Sequence, residues 1–160
     1  MENKKIRNAT PTIVNGIQFK SRLEATFFFI MHKKGFIFVY EKEAIVTFLE
    51  RKLKCTAFVL RKDKLVQKTK LSQRCYTPDG YLEYKGKVIY VELKGYPNDS
   101  YTIRRDLFLN KIADDTNVYF FEIKRAEHIT YLINFLTNLK KILNILCSIS
   151  HKIFIYLVSN

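Results

Sequence analysis

The chain has 160 residues, with 28 Lys and Arg against 15 Asp and Glu, a formal net charge of +13. Apolar types make up 48%, too many for a disordered basic tail, and five Gly and three Pro exclude a collagen-like or low-complexity chain. What survives is a folded, strongly basic domain, large enough to stand without disulfide or metal staples, whose expected partner is a polyanion and first of all nucleic acid.

Met1 to Thr12 reads as a loose basic arm, without the apolar run of a secretory signal. Leu23, Phe27, Ile30 and Met31 recur at helical spacing after Ser21, so a helix is expected over about 21–34, closed by Gly35. Phe36 to Tyr40 and Ala44 to Leu49 read as strands. Residues 50–75 read as a long hairpin or a basic loop. Nine basic residues fall between Arg51 and Arg74 against one acid, Asp63. Arg61, Lys62, Lys64, Lys68, Lys70 and Arg74 are the candidate DNA contacts there, because such a cluster releases counterions when it meets a duplex.

Tyr81 to Tyr84 and Val88 to Lys94 read as strands around a Lys85-Gly86 turn. Ser100 is the expected N-cap of a helix over about 101–113, with Ile103, Leu107, Phe108 and Ile112 on one face. Arg104, Arg105 and Lys111 on that helix are either phosphate contacts or a solvated face. Val118 to Ile123 reads as a strand, Glu127 to about Cys147 as a helix, and Lys152 to Val158 as either. The order α-β-β-β-β-α-β-α gives an α/β fold, a mixed sheet flanked by helices. The wide apolar stripe Ile129, Leu132, Ile133, Leu136, Leu139, Leu143 and Leu146 either packs on the sheet or meets a second copy.

Cys55, Cys75 and Cys147 match no CxxC pattern, and His32, His128 and His151 are too few to complete a zinc site, so free thiols in a reducing compartment are expected. No apolar run reaches 18 residues, so no membrane span is expected, and the expected location is the cytoplasm.

The stretch with chemistry in it is Thr77-Pro78-Asp79-Gly80 followed by Val91-Glu92-Leu93-Lys94-Gly95. If Lys85-Gly86 is a two-residue turn, Tyr84 faces Lys87, and counting back along both strands brings Asp79 opposite Glu92. Opposed residues have Cβ atoms about 5 Å apart on one face, and two like charges there destabilise a sheet. A cation between them removes the conflict, and hard oxygen ligands suit Mg²⁺, with Mn²⁺ as a substitute. Alternation places Lys94 on the same face as Glu92. That set fits metal-assisted phosphodiester hydrolysis. The plainer alternative is a Pro-Asp-Gly turn with solvated strand charges.

Pro78-Asp79 with Glu92-x-Lys94 on a hydrophobic strand resembles the PD-(D/E)XK nuclease signature. Ser21 to Glu24, Tyr40-Glu41, Tyr76 to Asp79 and Val91 to Gly95 together resemble, in this order, the small phage Holliday-junction resolvases of the endonuclease I type and related short phage nucleases. The resemblance spans about residues 13–123. Gly80 stands where those resolvases usually carry an apolar residue, and the tail from about 126 has no counterpart.

The resemblance implies a restriction-endonuclease-like core, α-β-β-β-α-β, here with an added hairpin and a C-terminal helix. It implies a nuclease core over 1–125; residues 126–160 read as a helical extension of the same domain, and their apolar stripe makes them the candidate dimerisation element. Asp79 and Glu92 would be metal ligands, Lys94 the catalytic lysine and Glu24 an accessory acid near the metal. Glu24 has a second reading, because Ser21-x-x-Glu24 is also a capping box. The implied activity is a Mg²⁺-dependent endonuclease on branched DNA, working as a homodimer. The alternatives are a nuclease for ordinary duplex or single strands, and a basic nucleic-acid-binding protein without catalysis.

Overall fold

A computed structural model describes residues 10–95 and 98–142. Most of the N-terminal arm, Cys147, the stripe residues Leu143 and Leu146, and the 152–158 element lie outside the described residues.

The described residues open with a hairpin of β1 (Thr12–Val14) and β2 (Ile17–Phe19). Its turn, Asn15-Gly16, has φ of 51° and 79°, the two left-handed residues that a type I′ turn requires. Helix α1 (Arg22–Lys33) follows, with Ser21 as its N-cap. It ends in a Schellman motif: Gly35, at φ 79°, donates its amide to the His32 carbonyl, and the Phe36 amide donates to the Met31 carbonyl, both at 2.9 Å. That cap occupies the residues expected to begin the next strand, so β3 is only Val39–Tyr40.

β4 (Ile45–Phe48) stands where expected. Residues 50–75 form the long hairpin rather than the loop, as β5 (Arg51–Arg61) and β6 (Lys64–Leu71) around Lys62-Asp63. β7 (Arg74–Tyr76) pairs antiparallel with β4. β8 (Gly80–Tyr84) and β9 (Lys87–Leu93) are joined by Lys85-Gly86, both at positive φ. Helix α2 (Asp99–Ile112) starts earlier than the sequence suggested. Its N-cap is Asn98, not Ser100: Asn98 Oδ1 accepts from the Tyr101 amide at 2.9 Å, and Ser100 Oγ only donates to that same oxygen. β10 (Val118–Ile123), a 3-10 turn (Ala126–His128) and helix α3 (129–142) complete the described chain.

The fold is mixed α/β and divides into two compact units, which are taken separately: residues up to Ile37 with those from Ile123 onward, and Phe38–Glu122. In the first unit, α1 packs against the β1–β2 hairpin and the 3-10 turn. Phe19, Phe27, Met31, Ile129, Leu132 and Leu136 are buried there. Those last three are the heart of the stripe that could have met a second copy, and they are turned into the chain's own core. Spacing of three and four residues aligns them on one inward face of α3.

In the second unit, a four-stranded sheet runs in the order β10-β9-β8-β3, with β8–β9 and β3–β8 antiparallel. The even-numbered face of β9 looks toward α2: Tyr90 meets Phe108 edge to face at 5.2 Å, and Phe108 stacks on Tyr76 at 4.9 Å. Tyr76, Tyr101 and Phe108 form the buried centre, with Ile45, Ile112 and Phe120 against it. Losing a ring such as Phe108 from that centre should cost about 3–5 kcal/mol. The buried face of α2 also differs from the expected one. Tyr101, Phe108 and Ile112 point inward, while Ile103 is 65% exposed, because it sits roughly 200° around the helix from Tyr101.

Among the described residues no helix is long and apolar enough to cross a membrane.

Candidate active site

The register of the β8–β9 hairpin is the one the two-residue turn requires. Tyr84 pairs with Lys87, Leu82 with Ile89 and Gly80 with Val91. Asp79 therefore stands one step beyond the last pair, beside Glu92. Its carboxylate turns to the β9 backbone, where Oδ2 accepts from the Leu93 amide at 2.7 Å. Its own carbonyl accepts from the Glu41 amide at 3.1 Å. Asp79 is thus anchored on two sides, by β9 through its side chain and by the turn after β3 through its backbone.

Glu92 is 7% exposed, and its neighbours Val91 and Leu93 on the opposite face of β9 are buried as well. A carboxylate in a strand covered on both faces is costly unless something favours its charge. Burial is the largest influence and pushes its pKa above the usual carboxylate range, and Glu122 adds to that. The Tyr76 hydroxyl, Lys94 and Arg104 pull the other way.

Tyr76 Oη is buried and makes no hydrogen bond of ordinary geometry among the described residues. It still lies near enough to the acids to feel them: burial first, then Glu92 and, more weakly, Asp79 hold its proton well above the usual phenol range. One buried hydroxyl thus senses both carboxylates.

Lys94 follows β9 on the Glu92 face, half-buried, with Nζ 5.3 Å from the centre of the Tyr101 ring. Tyr101 in turn donates to Glu122 Oε2 at 2.9 Å, and Arg105 Nη1 donates to the same oxygen at 3.0 Å. Burial, and then the bond to Glu122, raise the Tyr101 pKa. Arg105 also bonds Asp106. Of the three helix cations considered as DNA contacts, Arg105 is therefore committed to acids of its own chain. Arg104 and Lys111 are exposed.

Tyr101 and Glu122 are not among the site residues expected from the sequence. Tyr76 packs its ring on Phe108, while burial and then Glu92 hold the proton on its hydroxyl. Glu122 had a signal: it is the one charge in the strand Val118–Ile123.

Glu24 belongs to the first unit, where it and the N-cap Ser21 bond each other in a variant of the expected capping box, its carboxylate reaching the Lys20 amide. Its amide donates to Ser21 Oγ at 3.2 Å, Ser21 Oγ donates to Glu24 Oε1 at 2.8 Å, and the Lys20 amide donates to Oε2 at 2.9 Å. It is 6% exposed. The predicted basic residues Arg61, Lys62, Lys64, Lys68, Lys70 and Arg74 all fall on or beside the β5–β6 ribbon, and Lys70 pairs with Glu50 at 3.0 Å. Cys55 and Cys75 are exposed free thiols.

No cluster of three or more His, Cys, Asp or Glu side chains placed to hold a metal occurs among the described residues. The donors Asp79 and Glu92 nonetheless suit Mg²⁺, which is typically held by one or two carboxylates, with water and substrate phosphate completing its shell. They do not suit zinc, which calls for sulfur or imidazole ligands.

Compared with protein-family models, curated proteins and solved structures, the chain matches none.

Proposed function

We propose that the chain is a metal-dependent DNA endonuclease of the PD-(D/E)XK type, built on a restriction-endonuclease-like core, with branched DNA as its substrate. The observation that carries this reading is the β8–β9 register. It sets Asp79 beside a buried Glu92 and puts Lys94 on the Glu92 face, inside a chain of net charge +13. A protein that only bound nucleic acid would gain nothing from two acids placed together in its sheet, since carboxylates repel phosphate.

In this reading Asp79 and Glu92 hold Mg²⁺, which supplies Lewis-acid polarisation of the scissile phosphate. Lys94 steadies the negative charge that grows on the phosphate as the bond breaks. The Leu93 amide fixes the Asp79 rotamer. The ribbon cations and Arg104 supply contacts that position the backbone without reading sequence. Resolution of a junction takes two cuts related by a two-fold axis, so a homodimer belongs to the same reading.

A second reading has its own support. Asp79 already has a structural task on the Leu93 amide, and burial favours the protonated form of Glu92, as a binding protein without catalysis would allow. Purified protein incubated with Mg²⁺ or with EDTA on junction, duplex and single-stranded DNA and on RNA separates the two. Mg²⁺-dependent cuts that are lost in Glu92→Gln support the nuclease. DNA binding with no cuts on any substrate leaves the binding protein.

A further inference from the structure

The β5–β6 ribbon has two unlike faces. From Ala57 to the turn, the register pairs Phe58 with Gln67, Val59 with Val66 and Leu60 with Leu65. Alternation puts Phe58, Leu60 and Leu65 on one face. All three are open to solvent, at 57%, 75% and 66%. Val59 and Val66 lie on the other face, which closes over a concavity of about 520 Å³ reaching Leu107 of α2. Arg61, Lys68, Lys70 and Arg74 line that concavity; among the described residues no acid lines it, although Glu50 pairs with Lys70 at 3.0 Å. One side is therefore a cationic trough and the other an apolar tip.

Monomeric proteins rarely leave three large apolar side chains together on a ribbon that solvent surrounds. What covers them must also accept dense positive charge, with Arg61, Lys62 and Lys64 at the same tip. A second copy of the ribbon would bring like charge against like charge. A nucleic acid meets both demands, since its phosphates match the trough and its base faces match apolar side chains.

We propose that the β5–β6 ribbon is a wedge for DNA branch points: the trough carries the backbone of one strand while Phe58, Leu60 and Leu65 cap or unstack the base pair where the strands part. Apolar wedges inserted at base steps beside Lys and Arg contacts work in this way. A branch point suits such a wedge better than a paired duplex, because the stacking to be broken there is already partly absent. This inference rests on the nucleic-acid side of the proposed function and not on its metal chemistry.

The test uses the full-length protein in EDTA, so that nothing is cut. Its probes are a forked DNA with 2-aminopurine at the branch pair and a fully paired duplex carrying the same base. The wild type should bind the fork more tightly than the duplex and raise the 2-aminopurine emission on the fork. Phe58→Ser with Leu60→Ser, both at exposed positions, should lose the emission change and weaken fork binding about five- to 150-fold, the range of one stacked base. Lys68→Ala with Lys70→Ala should weaken fork and duplex alike and lower the salt slope by about 0.9 for each phosphate that is no longer neutralised. Equal wild-type affinity for fork and duplex with unchanged emission overturns the wedge, and it does so even if the serine variant fails to fold. Salt-sensitive self-association in place of DNA binding also overturns it and gives the face to a second copy. A chain that shows the wedge signature but never cuts with Mg²⁺ keeps this inference and loses the nuclease.

Discussion

Asp79 is the residue where folding and proposed chemistry meet, and two substitutions pull them apart. Its Oδ2 accepts from the Leu93 amide at 2.7 Å beside a side chain that is 5% exposed. Asp79→Ala leaves that amide without its acceptor, and losing a hydrogen bond to a charged group costs about 1.5–3 kcal/mol. Asp79→Asn keeps a carbonyl acceptor, and since neutral hydrogen bonds are roughly half as strong as charge-assisted ones, its loss should be about 1 kcal/mol. A chain of this size shifts its melting midpoint by about 2–4 °C per kcal/mol. Asp79→Ala should therefore melt about 3–12 °C below the wild type, and Asp79→Asn about 2–4 °C below it. Both should lose Mg²⁺-dependent cleavage, because neither offers an anionic oxygen to the metal. Melting is followed by circular dichroism, and cleavage is assayed well below each variant's own midpoint so that a melted fold is not read as missing chemistry. An Asp79→Ala midpoint equal to the wild type would refute the anchoring bond. A folded Asp79→Asn that cuts at the wild-type rate would refute the metal role.

The other predictions are narrower. The Glu92 carboxyl binds its proton more tightly folded than unfolded, so its contribution to stability is present below its unfolded pKa and lost as pH rises through the raised folded one. Glu92→Gln should then be more stable than the wild type at pH 7 and fall less from pH 4 to pH 8 in urea titrations; an identical pH profile would mean that the buried charge is already compensated. Lys94→Ala should leave the fold nearly unchanged but slow cleavage about 10²–10³-fold, the usual cost of one preorganised charge-stabilising group, and Lys94→Arg should not restore it, because a planar guanidinium is a poor substitute for a compact ammonium; wild-type rates in the alanine variant would reduce Lys94 to a strand neighbour. Lys62 and Asp63 both sit at positive φ, 46° and 62°, so Lys62→Asn with Asp63→Gly should raise the urea unfolding free energy by about 1 kcal/mol; a lower value would show that this turn is not of the I′ type.

What could be read in advance was what local rules decide. The β8–β9 register followed from one short turn, and the positive φ at both Lys85 and Gly86 is what made the two-residue count correct. Helix α1 followed from its cap and its apolar spacing. The first hairpin lies outside the expected elements although Asn15-Gly16 between branched residues is among the strongest hairpin signals, because strands of three residues each are too short for an alternating pattern to show. The start of α2 is not legible in the sequence, because Asn98 and Ser100 are both good cap residues and only the backbone decides which side chain meets a free amide. Tyr101 and Glu122 were invisible as site residues for another reason. They lie 21 residues apart and meet only through the packing of α2 against the sheet, which no local pattern encodes.

The residues that break folding rules in the second unit gather at one place. Glu92 is a buried acid in an otherwise apolar strand, Tyr76 buries a hydroxyl without an ordinary partner, and Glu122 is the lone charge of β10, where Tyr101 and Arg105 hold it. Had packing alone shaped this strand, Val or Leu at position 92 would serve it better, and Phe at 76 would keep the Phe108 stack without the stranded hydroxyl. Each exception alone has a bland explanation. Together they surround the one spot where the hairpin register brings a second carboxylate and Lys94 beside the first. Local choices that oppose stability and converge on one point are expected where a site has been favoured over the fold. A cation bound between Asp79 and Glu92 would reverse the sign of that opposition, by turning the buried charge of Glu92 from a cost into a ligand. The same argument separates this cluster from the ribbon: the ribbon's exceptions are exposed apolar side chains beside an excess of cations, so the completion proposed for it is a polyanion rather than a metal ion.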